Sequence, residues 1–178
     1  MVDLGSLGGG FGEAVAVSDS GVVVGYSYTA GEISYSHPFV WTQEGGMTDL
    51  APLATGGIAT AVNDDGVVVG YGTDGSGMTR AFVWSLEGGL VELNPVDGRD
   101  SFASGVSADG LVVGSTFTAD GGLQGFAWTA TEGMVYLDPL GGWSYSQVNS
   151  VTRNGRVFGF SYAPGAGHAT IWNGRRRR

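Results

Sequence analysis

The chain has no cysteine and no lysine among its 178 residues. It also has no run near the roughly 18 consecutive apolar residues that a membrane helix requires, so membrane insertion is not expected. Without cysteine there is no disulfide framework, no thiolate zinc site and no cysteine nucleophile. Residues 1–20 lack the basic start and apolar core of an intact signal peptide. Without lysine the cations are eight arginines, four of them in the terminal run 175–178. The body before that run sets 17 acidic side chains against Arg80, Arg99, Arg153 and Arg156, a formal charge of −13. Such a surface repels polyanions, which excludes nucleic acid as a partner of the folded body. The arginine run reads as a solvated end, disordered or appended to the domain.

What the chain has in excess is glycine, 34 residues, close to one in five against an average usage of roughly 7%. No G-X-Y period accompanies it, which excludes collagen, and a hydrophobic content of 42% excludes disorder. Position gives the glycines their meaning. Gly25, Gly70, Gly114 and Gly159 recur at spacings of 45, 44 and 45, and Gly21, Gly66, Gly110 and Gly155 repeat those spacings. Trp41, Trp84, Trp128 and Trp172 follow at 43, 44 and 44, with Trp143 outside the series. The chain is four copies of a unit of about 44 residues.

Each copy reads as antiparallel strands, and glycine at this density opposes helix. The first strand is Ala14 to Ser18 and its equivalents from Ala59, Ala103 and Val148. It ends in a turn whose glycine (Gly21, Gly66, Gly110 or Gly155) supplies positive φ. The second is the valine-rich run Val22 to Tyr28. The third holds Pro38 to Trp41, with Ala81 to Trp84, Gly125 to Trp128 and Ala169 to Trp172 as counterparts. Apolar residues on both of its faces fit a sheet sandwiched between neighbours. A fourth strand follows three copies, at Met47 to Leu50, Leu90 to Leu93 and Met134 to Leu137, with Leu53, Val96 and Leu140 three residues on. None follows Trp172. The same Leu-x-x-Leu spacing occurs at the N-terminus, in Leu4 and Leu7.

A period of this length with four strands per unit points to a β-propeller. The expected fold is all-β, a four-bladed β-propeller in one domain over 1–174. Its blades lie at about 13–53, 58–96, 102–140 and 147–174, with residues 1–7 completing the last blade and closing the ring. Small residues in the first strands (Ala16, Ala61, Gly105, Ser150) suit close approach to a narrow axis.

Several units resemble a known family. Asp3-Leu4-Gly5-Ser6-Leu7-Gly8-Gly9, Ala14-x-Ala16-Val17-Ser18-x-x-Gly21, Val23-Val24-Gly25, His37-Pro38-Phe39-x-Trp41-Thr42 and Gly45-Gly46-Met47-x-Asp49-Leu50 are similar to the HAF repeat of extracellular bacterial proteins. The naming tripeptide reads His-Pro-Phe, Arg-Ala-Phe, Gln-Gly-Phe and His-Ala-Thr in the four copies. The resemblance covers residues 3–174 and implies a secreted or cell-surface β-repeat protein. It brings no catalytic signature, cofactor or metal.

His37 and His168 share one repeat position with Arg80 and Gln124, a pattern that fits rim hydrogen bonding better than a metal or a general base. The Asp64-Asp65-Gly66 and Asp19-Ser20-Gly21 turns lack the distal glutamate of an EF-hand and read as self-capping turns. The recurring tryptophans read as packing residues. Gly8-Gly9-Gly10-Phe11-Gly12 reads as a connection that opens no helix, so it is no phosphate cradle.

The connections between second and third strands and between successive copies emerge on one face, which gathers the non-repeating aromatics. The candidate ligand-binding residues are Trp143, Tyr145, Tyr28, Tyr162, Phe117, Phe11 and Phe102, with Tyr35 nearby and Glu13, Glu32, Asp97 and Asp100 as polar partners. Aromatic faces there can stack on sugar rings or anchor a protein, or they can pack against their own loops. The reading that follows is a non-enzymatic extracellular binding or adhesion module, monomeric, for a glycan or a surface protein. Two alternatives stand beside it: a glycoside-cleaving enzyme pairing carboxylates from Asp97, Asp100 and Glu13, and a purely structural or engineered propeller without a ligand.

Overall fold

Turn chemistry sets the outline of the fold. Gly21, Gly66, Gly110 and Gly155 adopt φ of 84°, 75°, 79° and 79°, a region that costs a residue with a Cβ roughly 1–2 kcal/mol. Each donates its N–H three residues back, as Gly21 does to Ser18 O at 3.0 Å. The computed structural model describes residues 1–50, 55–95 and 97–173, the side chains of Glu32 and Ile33 excepted. Leu53, Val96 and the arginine run 175–178 lie outside the described residues.

Among the described residues there are fifteen strands and no helix. The first sheet is β1 (Gly8–Val17), β2 (Val23–Thr29), β3 (Glu32–Thr42) and β4 (Gly46–Asp49). The second is β5 (Thr55–Val62), β6 (Val68–Thr73), β7 (Thr79–Ser85) and β8 (Gly89–Leu93). The third is β9 (Ser101–Val106), β10 (Val112–Phe117), β11 (Leu123–Thr129) and β12 (Gly133–Leu137). The last has three strands, β13 (Tyr145–Val151), β14 (Val157–Ala163) and β15 (Ala166–Trp172). All are antiparallel, each strand pairs with its neighbour in sequence, and no sheet closes on itself.

The second glycine series is explained by a bulge. The first strand of every sheet shifts register, between Ala14 and Ala16, Ala59 and Ala61, Ala103 and Gly105, and Val148 and Ser150. The shift turns a carbonyl oxygen toward the facing glycine. A Cβ on Gly25, Gly70, Gly114 or Gly159 would lie 1.9–2.1 Å from the oxygen of Glu13, Ile58, Phe102 or Gln147, where no side chain fits. The residue left over by the bulge ties neighbouring sheets together. Thr60 Oγ1 donates to Ala103 O at 2.9 Å, and Ser104 Oγ reaches Val148 O at 3.4 Å.

Each sheet packs on the next through a repeated pair of faces. Val24 and Val40 of the first sheet meet Ala59, Val68 and Phe82 of the second. Val69 and Leu93 meet Ala103, Val112 and Phe126, and Leu111 and Val113 meet Val148, Val151 and Val157. The first hairpin turns of all four sheets also gather at one end. Ser20 N–H donates to Asp64 Oδ1, Asn63 Nδ2 to Ser107 O, and Ala108 N–H to Arg153 O. Arg153 spans from the last sheet to Asp19 of the first at 2.8 Å and Asp64 of the second at 2.7 Å.

Two expectations change. Residues 1–7 form no strand and do not pair with β15. They lie against the first sheet, beside a cleft of about 580 Å³ lined by Leu4, Ala14, Phe39 and Met47. Leu7 N–H donates to Ser27 Oγ at 3.0 Å, as Leu140 N–H after β12 donates to Ser161 Oγ of the last sheet at 3.2 Å. The Leu-x-x-Leu spacing therefore marks contact with the sheet that follows, and it does not by itself specify pairing with β15. Second, Gly8 to Gly12 are strand and not a connection, because β1 extends back to Gly8 to pair with Thr29 through a register jump.

Candidate functional site

The second-to-third and sheet-to-sheet connections do share one end, and strand register decides which aromatics meet there. In the first sheet Phe11 lies with Tyr26 and Tyr28, ring centroids 6.3 and 5.8 Å apart. Between the second and third sheets Tyr71 stands edge-on to Phe102 at 5.2 Å, and Phe102 to Phe117 at 6.0 Å. The last sheet holds Tyr145 against Tyr162 at 5.0 Å, Phe160 against Tyr162 at 5.6 Å, and Trp143 against His168 at 4.7 Å. All seven candidate residues thus take part in ring contacts, but in separate groups distributed over the sheets. Phe11, Tyr35 and Phe117 remain exposed.

The group on the last sheet is the most firmly built. Tyr145 Oη donates to Asp120 Oδ2 at 2.7 Å, and Tyr162 Oη accepts from Leu123 N–H at 3.3 Å. Both hydroxyls cross from the last sheet to the β10–β11 connection of the third. Gly122 has no side chain because the Tyr145 ring occupies the space: a Cβ there would lie 1.8 Å from it. The Thr118 hydroxyl, and after it Tyr145, hold the Asp120 carboxyl below the usual range, and Asp120 in turn raises the Tyr145 phenol. Tyr145 and Tyr162 are therefore fixed in place, while Trp143 meets exposed His168 in a separate ring contact, at a register position paired with Ser161, the neighbour of Tyr162.

Of the acidic candidates, the side chain of Glu32 lies outside what is described, and the other three have structural partners. Asp97 pairs with Arg99 at 2.6 Å, Asp100 Oδ1 accepts from Thr79 N–H at 2.7 Å, and Glu13 Oε2 accepts from Tyr26 Oη at 2.6 Å. That last bond raises the Tyr26 phenol. Each of the three carboxyls thus has its own structural partner, and among the described residues no hydrogen bond joins one to another.

The position shared by His37, Arg80, Gln124 and His168 is polar in every sheet, with different partners. His37 Nδ1 lies 2.8 Å from Asp49 Oδ2, Gln124 Nε2 donates to Leu137 O at 2.9 Å, and Arg80 reaches Asp74, Gly98 O and Arg99 O. His168 makes a tilted ring contact with Trp143. The recurring tryptophans are half-buried, and Trp84, Trp128 and Trp172 flank the three inter-sheet clusters while Trp41 joins none of them, so the expected packing role is accompanied by an open rim. Tyr26, Tyr71, Phe160 and Asp120 were not among the candidates. Tyr26 and Phe160 join the site through contacts within their own sheets, and Tyr71 and Asp120 through the packing of one sheet on the next, neither of which a list of loop residues contains.

No protein-family model matches the chain, and no curated protein is similar to it at a significant level.

Proposed function

We propose that the protein is a non-enzymatic extracellular binding module, a four-bladed β-propeller that presents its aromatic loop face to a glycan. The observation that carries this reading is on the last sheet, where Tyr145 and Tyr162 are held by hydrogen bonds to the third sheet and Trp143 meets His168 in a tilted ring contact. Rigid aromatic surface binds with little ordering cost, and a sugar ring can stack on it while hydroxyls find His168 or Asp120. The commitment of Glu13, Asp97 and Asp100 to structural partners favours binding over hydrolysis. The motifs shared with HAF repeats support a secreted or cell-surface setting.

The propeller reading draws support from the four gathered hairpin turns and from Arg153, which bridges last sheet to first. The last sheet's outward side chains Phe158 and Ile171 are 40% and 58% exposed, where their counterparts Val24 and Val40 in the first sheet are buried. Closure of the last sheet on the first would cover them, with residues 1–7 in the seam. Deleting residues 1–7 is expected to lower the thermal midpoint by about 5 °C, from the lost burial of Leu4 and Leu7. An unchanged midpoint would mean that Leu4 and Leu7 add nothing to the first sheet.

A glycan array tests the binding reading. The wild-type chain is expected to retain one class of oligosaccharide, and Trp143→Ala to weaken that binding roughly 30-fold, with Tyr145→Ala acting in the same direction. Absence of binding to every glycan, or full binding by both variants, overturns it.

A further inference from the structure

The face opposite the aromatic loops carries a second groove, built at a tryptophan that the first site does not use. Sheets twist, so adjacent sheets splay apart toward their outer strands and leave wedges between them. In the wedge between the third and last sheets, Trp172 Nε1–H donates to Asp138 O at 2.8 Å, which ties the indole to the sheet before it. Trp128 holds the equivalent place in the wedge between the second and third sheets, and among the described residues its Nε1–H has no protein acceptor. A groove of about 400 Å³ lies there. The second sheet contributes Val83 and Val91, the latter 45% exposed, and the third contributes the Trp128 indole, Thr131 and the turn carboxylate Asp109. Exposed Glu87 and Glu132 adjoin the lining residues Gly88 and Thr131, and no basic side chain lines the groove.

We propose that this groove binds a proline-rich peptide in the polyproline II conformation, with an arginine or lysine flanking the prolines. Proline rings fit between an indole and valines because they are apolar and bring no amide N–H to satisfy. The polyproline II backbone makes no internal hydrogen bonds, so one of its carbonyls is free to accept the Trp128 Nε1–H. The preformed helix also has less freedom to lose on binding than a flexible chain. Asp109, Glu87 and Glu132 supply the attraction for a basic flank, within a body whose net charge is strongly negative. A sugar ring would have the hydroxyls of Ser85 and Thr131 and the Asp109 carboxylate as partners, so it is the competing occupant that the test includes.

The test is a titration of the ¹⁵N-labelled protein with the synthetic peptide Arg-Pro-Pro-Leu-Pro-Pro-Arg, followed by the indole N–H signals. The Trp128 signal is expected to move progressively while the Trp143 signal stays in place, so the outcome is separable from that of the loop-face reading. Trp128→Phe keeps an aromatic wall but removes the donor, and is expected to weaken binding about tenfold. Val91→Lys, at a side chain already exposed, is expected to weaken binding at least as much while leaving the rest of the spectrum folded. Replacing both peptide arginines by glutamine is expected to weaken binding and remove its salt dependence. A Trp128 signal unmoved at about 1 mM peptide overturns the proposal. So does an equal shift produced by cellohexaose, or binding that survives both variants.

Discussion

Gly114→Ala is expected to destabilise the protein by about 3 kcal/mol, which in a domain of this size lowers the thermal midpoint by roughly 10 °C. The added methyl would lie 2.1 Å from Phe102 O, 2.6 Å from Phe126 Cζ and 2.9 Å from Ala103 Cα. None of these atoms can retreat cheaply. Phe102 O belongs to the bulged strand β9, whose Ser104 hydroxyl reaches Val148 O in the last sheet. Moving that strand would therefore loosen the contact between two sheets. Phe126 is fully buried in the cluster with Val112 and Ala103, so displacing its ring opens a void on its other side. Gly110→Ala is the comparison. Gly110 sits in the same hairpin at φ +79°, but a methyl there meets nothing within 4 Å. Its cost is the backbone term alone, about 1 kcal/mol. Differential scanning calorimetry of both variants separates the two effects, and equal losses would mean that the carbonyl does not face Gly114.

The contrast between those two glycines also shows what the sequence makes legible. Both recur with the repeat, so their positions mark strands and turns from spacing alone. Their physical reasons differ, however: one needs positive φ, the other lacks room for a Cβ beside a bulge. The bulge depends on how two strands pair, and no single strand's pattern reveals it. The start of β1 was obscured for a related reason. Gly8 and Gly10 have φ of 102° and 75°, so the stretch has the composition of a connection, yet it remains in the sheet because β2 runs far enough to pair with it.

At the loop face the aromatic residue types were readable, and their grouping was not. Tyr71 and Phe102 are 31 positions apart in sequence and come into edge contact because β6 and β9 lie in sheets that pack together. The groove beside Trp128 was hidden more deeply. A tryptophan recurring in every unit reads as core, and its open rim follows from the splay between sheets, which spacing does not encode.

Arg80→Met is expected to cost about 2 kcal/mol, because the buried guanidinium makes charge-assisted hydrogen bonds to two carbonyls that methionine cannot make. Arg80 is buried, with Nη1 donating to Gly98 O at 2.7 Å and Arg99 O at 2.9 Å. These carbonyls belong to the connection between the second and third sheets, so the side chain pins one sheet's rim to the approach of the next. Methionine fills similar volume but removes both protein donors and leaves the oxygens at exposed Gly98 and half-buried Arg99 to water. Arg80→Gln is the informative second variant. Glutamine occupies this position in the third sheet, where Gln124 Nε2 bonds one carbonyl, so it is expected to recover only part of the loss.

Acid sensitivity isolates the remaining partner. Arg80 Nε donates to Asp74 Oδ2 at 2.8 Å. Hydrogen bonds from the Ser76 hydroxyl foremost, then from the Met78 and Ser76 amides and from Arg80, hold the Asp74 carboxyl well below the ordinary carboxylate range. A depressed folded pKa contributes stability that is complete above the unfolded value, roughly 3.9, and is lost as pH falls from there through the folded value. Asp74→Asn is therefore expected to be less stable than wild type at pH 7 and to lose less further stability below about pH 4. Arg80→Met should keep much of the acid-dependent loss, because Ser76 and Met78 still hold the carboxylate. Urea midpoints measured between pH 7 and pH 2 distinguish these outcomes. An Asp74→Asn profile parallel to wild type would mean that the carboxylate is not held by Ser76, and that Arg80 acts through the two carbonyls alone.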